Sequence, residues 1–279
     1  MLGADRRYPA GFWEPRPAIH LTNAILRRYG SAGFDPTLRL QEEGAFDPVD
    51  KARWIGKIRA YLTTLSGAPL VVIKDPKITA MSGLWFEAAR QAGFDPVAVI
   101  AVRNPEESAK SITADVGTSP EFGGALWLKY SLLAERATRE LPRVFVEYTN
   151  LMDNWRYEIK RIAAALLIDL EARDEGAIDE FLAPALRHHQ NCDPVNELFG
   201  ADWNSAAYDA LSAAARDEPW DEAALDRVFE AYRASERGFR TMFEDYHRFR
   251  KLYRLFPISI VKLFIEVRAI AHRRDETWA

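Results

Sequence analysis

The chain has 279 residues, 48% of them hydrophobic, which is enough apolar material for a substantial core. Its formal net charge of −4 excludes a protein that coats nucleic acid, because that task needs a basic face. A single cysteine, Cys192, excludes an intrachain disulfide and a cysteine-built zinc site and fits a reducing, cytoplasmic compartment.

In chain order, the opening "MLGADRRYPAGFWEPRP" is polar and broken by proline, without the apolar run of a secretory signal. Within it, Glu14 follows Phe12 and Trp13 and precedes Pro15. An acid set among aromatic rings is suited to act as a base; the plainer alternative is two core anchors beside a solvated acid. A helical pattern over 51–65 is followed by the branched run "PLVVI" at 69–73, a helical pattern over 80–91, and a second branched run "VAVIAV" at 97–102. A helical pattern over 122–140 has Trp127, Tyr130, Leu133 and, just beyond it, Leu141 at helical spacing, and a third strand "RVFVEY" ends at Tyr148. Strands alternating with helices predict an α/β domain with a mainly parallel sheet and right-handed crossovers. Ligands of such sheets bind beyond the carboxyl ends of the strands, which directs the search to the residues after Ile73, Val102 and Tyr148.

After Val102 comes "RNPEESAKS", with Asn104 as a helix cap, Pro105 in the first turn, and Glu106 and Glu107 where the helix dipole favours negative charge. A purely structural turn would show the same. The additional features are Arg103, whose planar fork of donors matches a phosphate, and the hydroxyl of Ser111 two turns later. After Ile73 comes "KDPK": Lys74 and Asp75 form an ordinary surface pair, or, at a strand end, a group that stabilises a leaving oxygen and orients an acceptor. Adjacent His188 and His189 diverge on a helix and make no metal site, and the chain has no GxSxG, GxGxxG or GxxxxGK[ST] motif.

Beyond Tyr148 the pattern is helical throughout. The tail places Ile260, Leu263, Phe264, Val267 and Ile270 on one helical face between basic ends. It reads first as a helix docked on this protein's own core, with a peripheral contact to a membrane surface or a partner as the alternative.

The segments "GFWEPRPAIHLTNAILRRYG", "VVIKDPK", "VIAVRNPEESAKSI", "ALWLKYSLLAERATRELPRVFVEYTNLMDNWRYEIKRIAAAL" and "FLAPALRHHQ" stand in the order and approximate spacing of the bacterial sulfotransferase family, and the chain resembles that family from Leu2 to about Gln190. The resemblance implies a three-layer, P-loop NTPase-like sulfotransferase fold around a central, mainly parallel sheet. An α/β domain would occupy 1–200, and a helical extension over 201–279 would pack on it. It implies transfer of a sulfuryl group from 3′-phosphoadenosine 5′-phosphosulfate, without a metal, to a hydroxyl or amine of a small molecule, glycan or lipid. Arg103 and Ser111 match the family's 3′-phosphate ligands. Glu14 is then the first choice of base and Asp75 the second, Lys74 contacts the bridging oxygen or the sulfuryl group, and Arg187 supplements the 3′-phosphate contacts. The family's glycine-rich 5′-phosphosulfate loop has no counterpart in these residues: either a first βα unit lies upstream of this sequence, which is the first expectation, or the chain as written is a sulfotransferase-like remnant that lacks it. Two other readings stand beside the enzyme: a non-catalytic nucleotide-binding or scaffold protein of the same fold, and a small-molecule kinase, which the missing GxxxxGK[ST] disfavours.

Overall fold

A computed structural model of the chain describes residues 13–170, 174–182, 202–255 and 267. The chain divides into two compact units, Met1–Ala231 and Tyr232–Ala279. The first contains α1 (Arg16–Arg28), α2 (Pro48–Thr63), α3 (Ser82–Gln91), β1 (Ala98–Val102), α4 (Pro105–Val116), α5 (Pro120–Ala137), β2 (Arg143–Glu147), α6 (Tyr148–Leu166), α7 (Glu175–Phe181), α8 (Trp203–Ala215) and the start of α9 (Glu222–Leu255). In the second unit α9 carries an i,i+4 ion pair between Arg240 and the buried Glu236 at 2.6 Å.

The architecture is broadly α/β, though mainly helical, with a two-stranded parallel sheet among the described residues. β1 and β2 pair in the register Val99↔Val144, Ile100↔Phe145 and Val102↔Glu147. Both coincide with branched runs bounded by Pro, Asp or polar residues, as expected for strands fed by helices. β1 departs from the expectation of a strand covered on both faces: Ile100 and Val102 are buried, but Val99 is 51% exposed. On β2 the corresponding face is closed, where Val144 and Val146 pack on Ile162 and Leu166 of α6.

The run at 69–73 is not a strand. Residues 70–75 have no secondary structure assigned, with Val72 69% exposed, and they pair with no described strand. Branched side chains favour extended backbone, but a strand exists only through the ladder it makes with a neighbour, which lies elsewhere in the chain. Residues Pro76–Met81 then form a 3₁₀ helix, started by Pro76 and capped by Asp75, whose carboxylate accepts from the Lys77 amide at 3.1 Å.

An apolar cluster is shared by α1, α2 and α3, where Ile25, Leu26, Ile58, Leu62, Leu84 and Trp85 are buried. Most of α5 is buried, and its Gly123 is packed against α4 so closely that a Cβ would lie 2.8 Å from the Ala109 backbone. α6 is kinked at Asn154, whose side chain accepts from the Tyr157 amide at 3.2 Å and restarts the helix. Among the described residues no helix is long and apolar enough to cross a membrane. Arg187, His188, His189, Cys192 and the tail residues Ile260, Leu263, Phe264 and Ile270 lie outside the described residues; Val267, within them, is 56% exposed.

Candidate functional site

The predicted site residues fall into two groups. In the first the structure brings Glu14, Lys74 and Asp75 together across sixty residues of sequence. Trp13, at φ +54° and 59% exposed, turns the backbone through the left-handed region that a bulky residue rarely occupies, while its neighbour Glu14 is buried. Lys74 Nζ donates to Glu14 Oε1 at 2.7 Å. Lys77, which sequence reasoning missed, links the two acids: its Nζ lies 2.7 Å from Asp75 Oδ1 and 4.0 Å from Glu14 Oε2. Asp75 is buried, and its Oδ2 is without a hydrogen-bond partner. Gly33 gives the Lys77 stem room, since a Cβ there would stand 3.0 Å from Lys77 Cδ.

α5 holds the neighbouring loop that carries Gly33. Tyr130 donates its hydroxyl to the Gly33 carbonyl at 2.9 Å, and the buried Lys129 donates to the Asp35 carbonyl at 2.7 Å. Burial, and then the nearby charges of Asp35 and Asp75, push the Tyr130 hydroxyl well above the ordinary tyrosine range.

The second group lies at the carboxyl ends of β1 and β2. Register explains it: Val102 pairs with Glu147, so the next residues, Arg103 and Tyr148, leave the sheet side by side. The Arg103 guanidinium sits over the Tyr148 ring at 4.7 Å from its centroid. Its Nε donates to Glu107 Oε2 at 3.2 Å, and its carbonyl accepts from Trp127 Nε1 at 2.9 Å. Asn104 caps α4 by accepting from the amides of Glu106 (2.9 Å) and Glu107 (3.2 Å). Ser111, half-buried, stands one turn beyond Glu107 on the same helix face.

Behind Arg103, the buried Glu147 accepts from the hydroxyls of Tyr208 at 2.6 Å and Ser212 at 3.3 Å, with Arg216 at 3.7 Å. The Tyr208 ring meets Trp127 edge to face at 6.4 Å. The Tyr208 hydroxyl is pushed up to about 12, chiefly by burial and then by its bond to Glu147. A folded-state value above the ordinary 10.0 means that this contribution to stability is whole below pH 10 and fades as pH rises toward 12. Thermal melts across this range should therefore fall less steeply for Tyr208→Phe than for the parent chain; parallel slopes would remove the assignment.

The two groups border one stretch of α5. Trp127 reaches the Arg103 carbonyl and Tyr130 reaches the Gly33 loop, and residues three apart on a helix are neighbours on its surface. Lys74 and Asp75 would share a sheet edge with Arg103 only if their strands were neighbours, and residues 70–75 pair with no described strand; α5 relates the two groups instead. Glu107 was legible only as a partner of the helix dipole, and Tyr148 only as the last residue of a strand. The described residues contain no cluster of three His, Cys, Asp or Glu side chains suited to hold a metal. Comparison of the chain with models of known protein families, with curated proteins and with solved structures finds no match.

Proposed function

We propose that the chain is a sulfotransferase using 3′-phosphoadenosine 5′-phosphosulfate, with Arg103 and Ser111 at the donor's 3′-phosphate and Glu14, Lys74 and Asp75 at the transferring group. The observation that supports it most directly is Arg103 at the end of β1. The side chain is held at Nε by Glu107 and on one face by Tyr148, and no described residue takes Nη1 or Nη2. An arginine held in this way presents two parallel N–H donors, the geometry that suits a phosphate.

In the reaction the acceptor oxygen attacks sulfur, the bond from sulfur to the bridging oxygen breaks, and the electron pair leaves with 3′-phosphoadenosine 5′-phosphate. The acceptor's proton passes to the carboxylate of Glu14. Lys74, now 2.7 Å from Glu14, offsets the negative charge that grows on the bridging oxygen. Asp75 holds Lys77 beside Glu14, and is the second choice of base through its unpartnered Oδ2. The acceptor is a small molecule, glycan or lipid, and a cytoplasmic location belongs to the same proposal.

One observation favours the second reading, a nucleotide-binding module without catalysis: the Glu14 carboxylate is already engaged by the Lys74 ammonium at 2.7 Å and would have to exchange that contact for an acceptor hydroxyl. Calorimetry separates both readings from neither. The chain should bind 3′-phosphoadenosine 5′-phosphate, bind adenosine 5′-phosphate much less tightly, and lose more than about tenfold in affinity on Arg103→Ala, the worth of a charged hydrogen-bonded pair. Equal affinity for the two nucleotides would end the donor assignment. Turnover with the sulfuryl donor would then choose the enzyme over the module.

A further inference from the structure

We propose that Tyr148 is a positioning residue for Arg103, setting the guanidinium plane so that its Nη1 and Nη2 edge is presented to an anion; this rests on the donor reading above. Sheet register places the two side by side, since Val102↔Glu147 is the last pair of the ladder and Arg103 and Tyr148 are the residues that follow. The guanidinium lies 4.7 Å from the Tyr148 ring centroid, within the range at which a cation is attracted by the face of the ring.

Three contacts then fix Arg103 in three different respects. Trp127 Nε1 holds its carbonyl at 2.9 Å, so the backbone cannot rotate without breaking a bond to α5. Glu107 takes Nε at 3.2 Å and sets the direction of the side chain. An Nε bond of this length restrains the guanidinium plane but leaves it room to tilt, and the Tyr148 ring lying against it narrows that tilt. An arginine side chain has four rotatable bonds, and each one fixed before the anion arrives is one whose entropy binding need not overcome. The side chain is 29% exposed, so an anion can reach it while the ring contact remains partly shielded from water.

Tyr148 therefore acts through Arg103, and the attraction comes from the ring face and not from the hydroxyl. Tyr148→Phe should keep affinity for 3′-phosphoadenosine 5′-phosphate within about threefold, whereas Tyr148→Leu, which keeps bulk but has no ring, should lose about five- to tenfold. A second readout needs no nucleotide: in the unliganded protein, the Nε–H proton resonance of Arg103 should be slow to exchange in the parent chain and in Tyr148→Phe, and fast in Tyr148→Leu. Circular dichroism establishes that each variant is folded.

Equal affinity and equal exchange for the leucine variant would overturn the proposal, as would a phenylalanine variant as weak as the leucine one, because the hydroxyl would then be the active part. Loss of nucleotide binding in the parent chain itself overturns the donor reading, and with it the presentation of Arg103 to that ligand. Slow Nε–H exchange lost only in the leucine variant would in that case still show the ring holding the arginine.

Discussion

Glu135→Ala is expected to lower the stability of the fold by about 3 kcal/mol, the lower end of what breaking a buried ion pair costs. The Glu135 side chain is fully buried on α5, and it is the hub of a network: Arg139 Nη2 lies 2.7 Å away and Arg143 Nη1 3.1 Å. Removing the acid strands two arginines that are only 25% and 15% exposed. The loss stays at the lower end because each arginine keeps a second acid, Asp226 at 3.0 Å from Arg139 and Glu222 at 3.3 Å from Arg143. Those acids stand at the start of α9, so the network fastens α5, the first residue of β2 and α9 to one another. Chemical denaturation is the check: a midpoint unchanged in Glu135→Ala would mean that the pair is solvated and the network incidental. Arg139→Ala should cost less than Glu135→Ala, since it leaves Arg143 to neutralise the carboxylate.

Part of this was visible in the sequence. Leu128, Leu132 and Glu135 stand at i, i+4 and i+7, so a carboxylate occupies the apolar stripe of α5, and basic residues follow at Arg139 and Arg143. The strands β1 and β2 were legible for a related reason, since runs such as "VAVIAV" and "RVFVEY" carry their own local signal. What local signal does not carry is pairing. The run "PLVVI" has as much β propensity as the other two and makes no strand, because nothing within five residues of it says whether a neighbour exists.

The same division runs through the site. Arg103, Asn104, Pro105 and Glu107 are consecutive or one turn apart, so a capped helix start with an arginine before it could be read directly. Glu14 meeting Lys74 is a contact between residues sixty apart, and only the resemblance to a family joined them beforehand. Lys77 escaped notice because its role depends on a 3₁₀ turn after Pro76 that brings its ammonium back to Asp75. Tyr148 escaped because its importance comes from register, a property of two strands that neither possesses alone.

Register and helix packing therefore hold the second group together, and Gly123→Ala tests the packing. The expected result is a loss of about 2 kcal/mol, net of the roughly 1 kcal/mol that alanine ordinarily gains over glycine within a helix. The added Cβ would stand 2.8 Å from both Cα and O of Ala109, where carbon atoms prefer about 3.5 to 4.0 Å. Those are backbone atoms in the middle of α4, and Ala109 is fully buried, so no side chain can swing aside. The two helices must separate instead, by on the order of 1 Å. That movement falls on the site, because the Trp127 bond to the Arg103 carbonyl spans the gap between α5 and the start of α4. Affinity for 3′-phosphoadenosine 5′-phosphate should therefore fall together with stability in this variant. Gly56→Ala is the internal comparison: Gly56 also lies in a helix, α2, and a Cβ there meets nothing within 4 Å. It should stabilise the fold by about 0.5 to 1 kcal/mol and leave nucleotide affinity unchanged. A chain in which both substitutions stabilise would have α4 and α5 further apart than a 2.8 Å approach of Gly123 to Ala109 allows, and Arg103 would then have to be held by Glu107 and Tyr148 without the help of α5.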